Sequence, residues 1–247
     1  MAAVTEVLFA PQEREATLRE EVRVGLTGTP KELPPKWFYD ERGSALFEAI
    51  TRLPEYYLTR RERSILRERA REIATIAEAE TLIELGAGSA EKTRLLLDAL
   101  APARFVPVDV SEPTLRESAQ ALVDEYPELE VTALVADFER HLPRLPTDGR
   151  RLLAFLGSTI GNLAPPARAR FLREVAAALD PGDSFLLGVD LVKAPERLRA
   201  AYDDAAGVTA QFNLNVLRVL NRELGADFDL DAFAHVACWD ARSEWME

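Results

Sequence analysis

Cysteine and histidine are scarce in this chain of 247 residues, which has one cysteine, Cys238, and two histidines, His141 and His235. A single cysteine excludes a disulfide within the chain and is typical of proteins from a reducing compartment. So few soft ligands also disfavour a Cys/His metal site. We therefore expect no metal cofactor.

Long apolar runs are also missing. No window of the sequence approaches the ~18 consecutive apolar residues that a membrane span needs. Residues 1–14 lack the basic start followed by an apolar run that marks a secretory signal peptide. Together with the single cysteine, these absences predict a cytoplasmic protein without a membrane partner.

Positive charge is in deficit, with 30 lysines and arginines against 42 aspartates and glutamates and a net charge of −12. Binding to nucleic-acid phosphates needs clustered positive charge, so this balance disfavours a nucleic-acid partner. The length is enough for one large domain, or for one domain with a smaller second one.

A glycine-rich turn is the most informative segment. Residues 82–93 read LIELGAGSAEKT, an apolar strand that ends in Gly-x-Gly and runs into a helix. A dinucleotide site prefers Gly or Ala where this turn has Glu91, and Glu84 precedes the turn. Two carboxylates would repel a pyrophosphate, whereas a sulfonium cofactor without phosphate tolerates them. The segment favours S-adenosylmethionine; a nucleotide-binding or cofactor-free α/β domain remains the alternative.

Strands and helices alternate through the middle of the chain. This spacing predicts an α/β fold, a parallel sheet with helices on both faces, over residues 61–192. The predicted strands are 81–85, 105–108, 131–135, 152–156 and 184–189, and the predicted helices are 91–100, 112–125 and 165–179.

Ligands of such sheets bind beyond the carboxyl ends of the strands. Asp109 ends the second predicted strand, 23 residues after Gly86, near the spacing expected for an acid that holds ribose hydroxyls. The alternative is a solvated acid at a strand end. Asp137 and Phe138 follow the third strand, where a carboxylate could accept from an adenine amine and a ring could pack on the base.

Two segments flank this unit, and we expect residues 1–60 and 193–247 to form a second, smaller domain. Residues 34–40 and 53–57 are rich in proline and aromatics, with a helix predicted between them at 44–51. Buried tyrosines need hydrogen-bond partners, which suggests a pocket wall, although a plain core is the usual interpretation. The second segment predicts helices at 195–204 and 208–224, a strand at 233–239 and a turn at 240–243.

Four motifs together resemble a known family. They are PPKWFYD at 34–40, TRLPEYY at 51–57, FLGSTIGN at 155–162 and Tyr202-Asp203-Asp204. In this order they resemble the histidine-specific Nα-methyltransferases of ergothioneine biosynthesis, over about residues 30–247. The resemblance implies a class I Rossmann-like methyltransferase domain with a separate substrate domain. It also implies three methyl transfers from S-adenosylmethionine to the α-amine of L-histidine, giving hercynine.

The resemblance also implies roles for single residues. Asn162 and Tyr202 would hold the substrate's carboxylate and amine, Tyr39 would lie against its side chain, and Gly157 would line the pocket floor. Asn162 and Tyr39 are the candidate catalytic residues, and Tyr56 would touch both substrate and cofactor. The cofactor-binding set is Tyr56, Gly86, Lys92, Asp109, Asp137 and Phe138. An exposed helix lysine is the alternative for Lys92.

The chain also departs from the family, whose members continue beyond the point that matches residue 247. That further part carries an acidic residue and a serine that hold the imidazole, and it adds strands to the five predicted here. We therefore expect a fragment or a short homologue. Its sheet would have an open edge through which the protein could self-associate, and its C-terminal hairpin would lack the second arm. We also expect it to bind the cofactor better than it methylates histidine. A cofactor-binding protein without turnover and a methyltransferase for another amino acid are the alternatives.

Overall fold

The computed structural model describes residues 3–247 and divides into two compact units. The sheet unit comprises the N-terminal segment through Phe9 and residues 60–189. The helical unit comprises residues 10–59 and 190–247. Those parts of the predictions for residues 1–14 and 1–60 that fall on residues 1 and 2 lie outside the described residues.

Nine helices and eight strands are found in the described part of the chain. The helices are α1 Pro11–Thr27, α2 Glu41–Arg52, α3 Tyr57–Ala77, α4 Arg94–Leu100, α5 Glu112–Glu125, α6 Phe138–His141, α7 Pro165–Ala178, α8 Pro195–Tyr202 and α9 Val208–Leu224. The strands are β1 Val4–Val7, β2 Thr81–Leu85, β3 Arg104–Asp109, β4 Glu130–Val135, β5 Arg151–Phe155, β6 Ser184–Leu187, β7 Trp239–Asp240 and β8 Trp245–Met246.

The first six strands form one parallel sheet in the order β1-β4-β3-β2-β5-β6. The central strands β2 and β5 are buried along their whole length, as expected for a parallel sheet covered on both faces. Leu82 and Ile83 point to opposite faces and belong to two separate apolar clusters. The α/β fold predicted from the sequence is confirmed.

The sheet has one strand more than the five predicted. Strand β1 pairs with β4 at the edge, with Val4 opposite Thr132. It is short and mostly exposed, so its sequence shows neither a buried apolar run nor clean alternation. The predicted helix at 91–100 begins only at Arg94, because residues 91–93 still belong to the turn.

The C-terminal strand prediction is wrong for most of its length. Residues 233–238 lie in no strand. The strand pairing is limited to Trp239–Asp240 with Trp245–Met246, which two backbone hydrogen bonds between Cys238 and Glu247 extend. Phe233 and Val236 are exposed, so the alternation that predicted a strand at 233–239 has no buried face to satisfy. The hairpin therefore has a second arm, contrary to expectation, although each arm is two residues long.

The helical unit is organised around the start of α2. Asp40 precedes this helix, and its Oδ1 accepts a hydrogen bond from the backbone N–H of Gly43 at 2.8 Å. The same oxygen accepts from Nδ2 of the fully buried Asn215 at 2.7 Å, and Oδ2 accepts from Arg222 at 2.8 Å. One carboxylate thus caps α2 and joins it to α9. None of the helices within residues 3–247 has the length and apolarity required to traverse a bilayer.

Candidate active site

The turn after β2 has the backbone of a ligand cradle. Gly86 and Gly88 have φ values of 68° and 52°, a left-handed conformation that favours glycine. The N–H of Gly86 donates to the carbonyl of Val108 at 2.8 Å, which ties the turn to β3. Apart from its chain neighbours, no described heavy atom lies within 4 Å of where a Cβ at Gly86 would stand. The space above the turn is therefore open to a ligand.

Asp109 ends β3 and faces this turn. Its Oδ2 accepts from the N–H of Gly88 at 2.9 Å, and its Oδ1 accepts from the N–H of Ser111 at 2.9 Å. Burial raises the pKa of the carboxyl, and these backbone donors act in the opposite direction. Two backbone bonds thus fix the orientation of the carboxylate and leave it further lone pairs for a diol.

The two acids of the glycine-rich segment have different environments. Glu84 is buried in β2, and its carboxylate accepts a hydrogen bond from the hydroxyl of Thr93. Burial raises the pKa of Glu84 to about 7. Glu91 is exposed and pairs with Arg63 at 3.0 Å. Neither acid is therefore a free charge at the turn, which weakens the expectation that the two carboxylates repel a pyrophosphate.

Lys92 lies in a network that the sequence did not reveal. Its ammonium forms an ion pair with Glu62 of α3, and the other oxygen of Glu62 accepts from the N–H of Gly157 at 2.7 Å. In sequence, Glu62 stands among alternating arginines and glutamates, the usual pattern of a solvated helix face. Lys92 and Gly157, both predicted from the resemblance, are thus joined by a carboxylate between them.

Asp137 and Phe138 follow β4, as predicted. Asp137 is 1% exposed, and its Oδ1 accepts from the N–H of Glu139 at 2.9 Å, which caps α6. The ring of Phe138 packs edge-on against Phe155 and Phe171, with centroid distances of 5.1 and 5.8 Å. Asp137 and Phe138 therefore have a structural role at the end of the strand. Their contact with adenine stays a prediction.

Asn162 ends the short 3₁₀ turn Thr159–Asn162 after β5, and its side chain is exposed. The residues before this turn, Gly157 and Ser158, have φ values of 76° and 59°. Two successive left-handed residues make a sharp bend at the end of the strand. Asn162 thus belongs to the loops at the carboxyl edge of the sheet.

The three predicted substrate tyrosines lie together in the helical unit. Tyr56 meets Tyr202 at a centroid distance of 6.2 Å and Phe47 at 6.3 Å, and Phe47 meets Tyr39 at 5.5 Å. Burial raises the pKa of Tyr202, and the charge of Asp190 adds to the effect. The Tyr202 hydroxyl therefore stays protonated at neutral pH and can donate a hydrogen bond.

A second tyrosine of the TRLPEYY motif has unexpected partners. The hydroxyl of Tyr57 donates to Asp190 at 2.5 Å, and Asp190 also accepts from Lys193 at 2.6 Å. Lys193 and Arg197 lie over the Tyr57 ring at 4.8 and 4.4 Å from its centroid. The separation of 133 positions between Tyr57 and Asp190 hid this contact from the sequence.

Together, the residues of the sheet unit suit a nucleoside that carries an amino-acid tail. They offer an open left-handed turn, a fixed carboxylate at Asp109 and a cation at Lys92. The chemistry of the helical unit is different, because its tyrosines combine apolar ring faces with hydroxyl donors. The surroundings of the predicted residues are compatible with the binding roles proposed for them, and those individual roles remain predictions.

Comparison with known proteins identifies the family. A family model described as histidine-specific, SAM-dependent methyltransferase matches residues 18–247. The chain is 58% identical to the histidine N-alpha-methyltransferase of Mycolicibacterium smegmatis, over 99% of this chain and 77% of that protein. It is also 58% identical to the histidine N-alpha-methyltransferase of Mycobacterium tuberculosis, over 93% of this chain and 73% of that one.

A more distant relative is ergothioneine biosynthesis protein 1 of Schizosaccharomyces pombe, 33% identical over 95% of this chain and 31% of that protein. Among solved structures, a putative methyltransferase from Thermobifida fusca is similar with a TM-score of 0.47 and 19% identity, over 73% of this chain and 66% of that one. Because the family model covers nearly the whole sequence, the chain belongs to the histidine-specific, S-adenosylmethionine-dependent methyltransferases.

Proposed function

We propose that the protein transfers methyl groups from S-adenosylmethionine to the α-amine of L-histidine, three times in succession. The product would be hercynine, and the reaction would be the first step of ergothioneine biosynthesis. The observation that carries this proposal is the 58% identity, over 99% of the chain, to a protein named histidine N-alpha-methyltransferase.

The residues at the carboxyl edge of the sheet fit the cofactor. The open turn at Gly86 would lie under the nucleoside, and Asp109 would accept hydrogen bonds from the ribose hydroxyls. Asp137 and Phe138 would meet the adenine, and Lys92 would meet the carboxylate of the methionine portion. When bound, the cofactor supplies an electrophilic methyl group on a sulfonium.

Tyr56 is the remaining residue of the proposed cofactor set. It is 7% exposed and lies edge-on to Tyr202, so its ring is held in place by neighbouring aromatics. A ring face fixed in this way is attractive to a cation. We assign Tyr56 to contacts with both substrate and cofactor, as the resemblance implies.

Substrate binding is assigned to Asn162, Tyr202, Tyr39 and Gly157. Asn162 has both a donor and an acceptor, so it can hold a zwitterionic amino acid without adding charge. Tyr202 stays protonated and would donate to the carboxylate. Tyr39 would lie against the imidazole, and Gly157 would leave room at the pocket floor.

The chain's part in the reaction is mainly alignment. Methyl transfer is an in-line displacement by a neutral amine, so the amine has to lose its proton and point at the methyl carbon. Fixing that geometry supplies effective molarity worth several kcal/mol, about 7 or more in well-oriented systems. Asn162 would orient the nitrogen, and the tyrosine rings tolerate the positive charge that the product keeps.

A competition experiment tests the substrate assignment. The protein is incubated with S-adenosylmethionine and an equimolar mixture of the common amino acids, and the products are identified by mass. We expect methylated histidine and none of the other amino acids. We expect an Asn162→Ala variant to retain binding of S-adenosylhomocysteine and to lose most of the turnover. Methylation of another amino acid in preference to histidine would overturn the assignment, and cofactor binding without any product would support a module without turnover.

The same proposal extends to location and partners. We propose a cytoplasmic enzyme that acts on small molecules. A net charge of −12 disfavours binding to nucleic acid, and an exposed free thiol at Cys238 suits a reducing compartment. Self-association through the edge strands β1 or β6 is a further proposal. Sedimentation at several protein concentrations tests it, and a constant monomer mass would refute it.

A further inference from the structure

One carboxylate in the sheet unit meets the loops that follow three different strands. Glu62 lies near the start of α3, and its side chain contacts Lys92 after β2 and Gly157 after β5. It also lies against the backbone of Gly188 after β6, where an added Cβ would stand 2.1 Å from Oε1 of Glu62. The carboxyl ends of these strands are where ligands of parallel sheets bind.

Both oxygens of this carboxylate are engaged. Oε1 accepts from the N–H of Gly157 at 2.7 Å, and Oε2 pairs with the ammonium of Lys92. The side chains of Glu62 and Lys92 are 16% and 20% exposed, so water screens the pair less than it screens pairs on the open surface. Because Gly188 has no Cβ, it leaves free the space that this carboxylate occupies.

The bond to Gly157 anchors the start of a bend whose own hydrogen bonds run from the Thr159 hydroxyl to the carbonyl of Leu156 at 2.9 Å and from the N–H of Gly161 to the carbonyl of Ser158 at 2.9 Å. Gly157 and Ser158 are both left-handed, and the turn that ends at Asn162 follows them directly. An anchored N–H at the first of these residues limits the ways in which the bend can relax. Glu62 therefore holds the loop that presents Asn162.

The ion pair limits Lys92 in a different way. A lysine has a flexible four-carbon stem and three donors, so an unpaired lysine samples many rotamers. With one donor on Glu62, the ammonium has a defined place and keeps donors for a second anion. A ligand carboxylate would then meet a lysine that is already ordered.

We propose that Glu62 is a positioning residue that orders Lys92 for the cofactor's carboxylate and holds the loop that carries Asn162. This inference rests on the proposed function, since it takes Lys92 as a cofactor contact. The sequence around Glu62 is typical of a solvated helix face and does not indicate this role.

Two substitutions separate the two contacts. Glu62→Gln keeps an oxygen that accepts from the N–H of Gly157, but it removes the negative charge that pairs with Lys92. Glu62→Ala removes both the acceptor for Gly157 and the charge that faces Lys92. The matched control is Glu72→Gln on the same helix, which removes only an exposed pair with Arg69 at 2.9 Å. Thermal unfolding of each variant shows whether it folds, and only folded variants enter the comparison.

The probes are S-adenosylhomocysteine and 5′-methylthioadenosine, which share the nucleoside but differ in the amino-acid tail. For Glu62→Gln we expect S-adenosylhomocysteine to bind about tenfold more weakly in calorimetry, the loss expected for one charge-assisted contact. Binding of 5′-methylthioadenosine should stay within about twofold, because it has no carboxylate for Lys92. Glu72→Gln should change neither.

A double-mutant cycle tests whether Glu62 acts through Lys92. In a Lys92→Met background, Glu62→Gln should have no further effect on S-adenosylhomocysteine binding. Glu62→Ala should in addition lower kcat for histidine methylation well below that of Glu62→Gln, since the loop loses its anchor.

Three results would overturn the proposal. They are an unchanged or tighter affinity of Glu62→Gln for S-adenosylhomocysteine, an equal loss for both probes, and a loss that persists in the Lys92→Met background. Failure of the proposed function looks different, because the unsubstituted protein would then bind S-adenosylhomocysteine without methylating histidine, or would not bind it.

Discussion

Replacing Glu84 by glutamine should stabilise the protein at alkaline pH and not at acidic pH. Glu84 is 3% exposed within β2, and its carboxylate accepts from Thr93. Burial raises its pKa from the ordinary 4.5 to about 7. A glutamine has nearly the same shape, can accept from the Thr93 hydroxyl through its amide oxygen, and carries no charge at any pH.

The sign follows from proton binding. Between pH 4.5 and about 7 the folded state keeps the Glu84 proton while the unfolded state releases it, so stability falls as the pH rises through this window. Each pKa unit corresponds to about 1.36 kcal/mol, so the full loss above pH 7 is about 3 kcal/mol. The glutamine variant does not undergo this loss.

Urea unfolding at pH 5 and at pH 8 measures the effect. We expect Glu84→Gln to gain about 2 to 3 kcal/mol over the unsubstituted protein at pH 8, and much less at pH 5. The control is Glu91→Gln, an exposed residue paired with Arg63, for which we expect changes within about 0.5 kcal/mol at both pH values. A gain that is equal at the two pH values, or a loss at pH 8, would show that Glu84 does not titrate near pH 7 in the folded protein.

Three further predictions concern stability and binding. Arg151→Met should cost about 3 to 5 kcal/mol in denaturant unfolding, because it leaves the carboxylate of Asp183 buried without its partner; a cost below 1 kcal/mol would contradict this. Asp109→Ala should weaken S-adenosylhomocysteine about tenfold or more in calorimetry, and unchanged affinity would remove Asp109 from the cofactor site. Tyr202→Phe should raise the KM for histidine about tenfold while the affinity for S-adenosylhomocysteine stays the same. If histidine and S-adenosylhomocysteine both bind more weakly by the same factor, the substitution has damaged the structure generally.

Much of the sheet could be predicted from the sequence because buried parallel strands are largely apolar. Strands β2 and β5 are rich in leucine and other apolar residues, although each also buries a charged residue, Glu84 or Arg151. The glycines and acids that follow the strands predict a ligand edge. Strand β1 could not be found this way, since it lies exposed at the sheet edge and contains polar residues. The segment 233–238 shows the opposite error, since its alternating pattern predicted a strand although its large apolar residues Phe233 and Val236 are exposed.

The site could be predicted only where its chemistry is local in sequence. Gly86 and Asp109 stand at fixed offsets from one strand to the next, so spacing predicts both as cofactor contacts, and the structure brings Asp109 to the turn of Gly86 through the N–H of Gly88. Glu62 could not be found, because its partners Lys92 and Gly157 lie 30 and 95 positions away. The sequence places Glu84 inside a predicted buried strand and Glu91 at the start of a predicted helix, but the bond of Glu84 with Thr93 and its raised pKa depend on packing.

Tandem mass spectrometry that locates the transferred methyl groups tests whether the protein trimethylates the α-amine of histidine. The protein is incubated with L-histidine and S-adenosylmethionine that carries an isotopically labelled methyl group. We predict labelled products with one, two and finally three methyl groups, all on the α-nitrogen. Label on the imidazole, or no label on histidine while S-adenosylhomocysteine still binds, would contradict Nα-methylation of histidine by this protein.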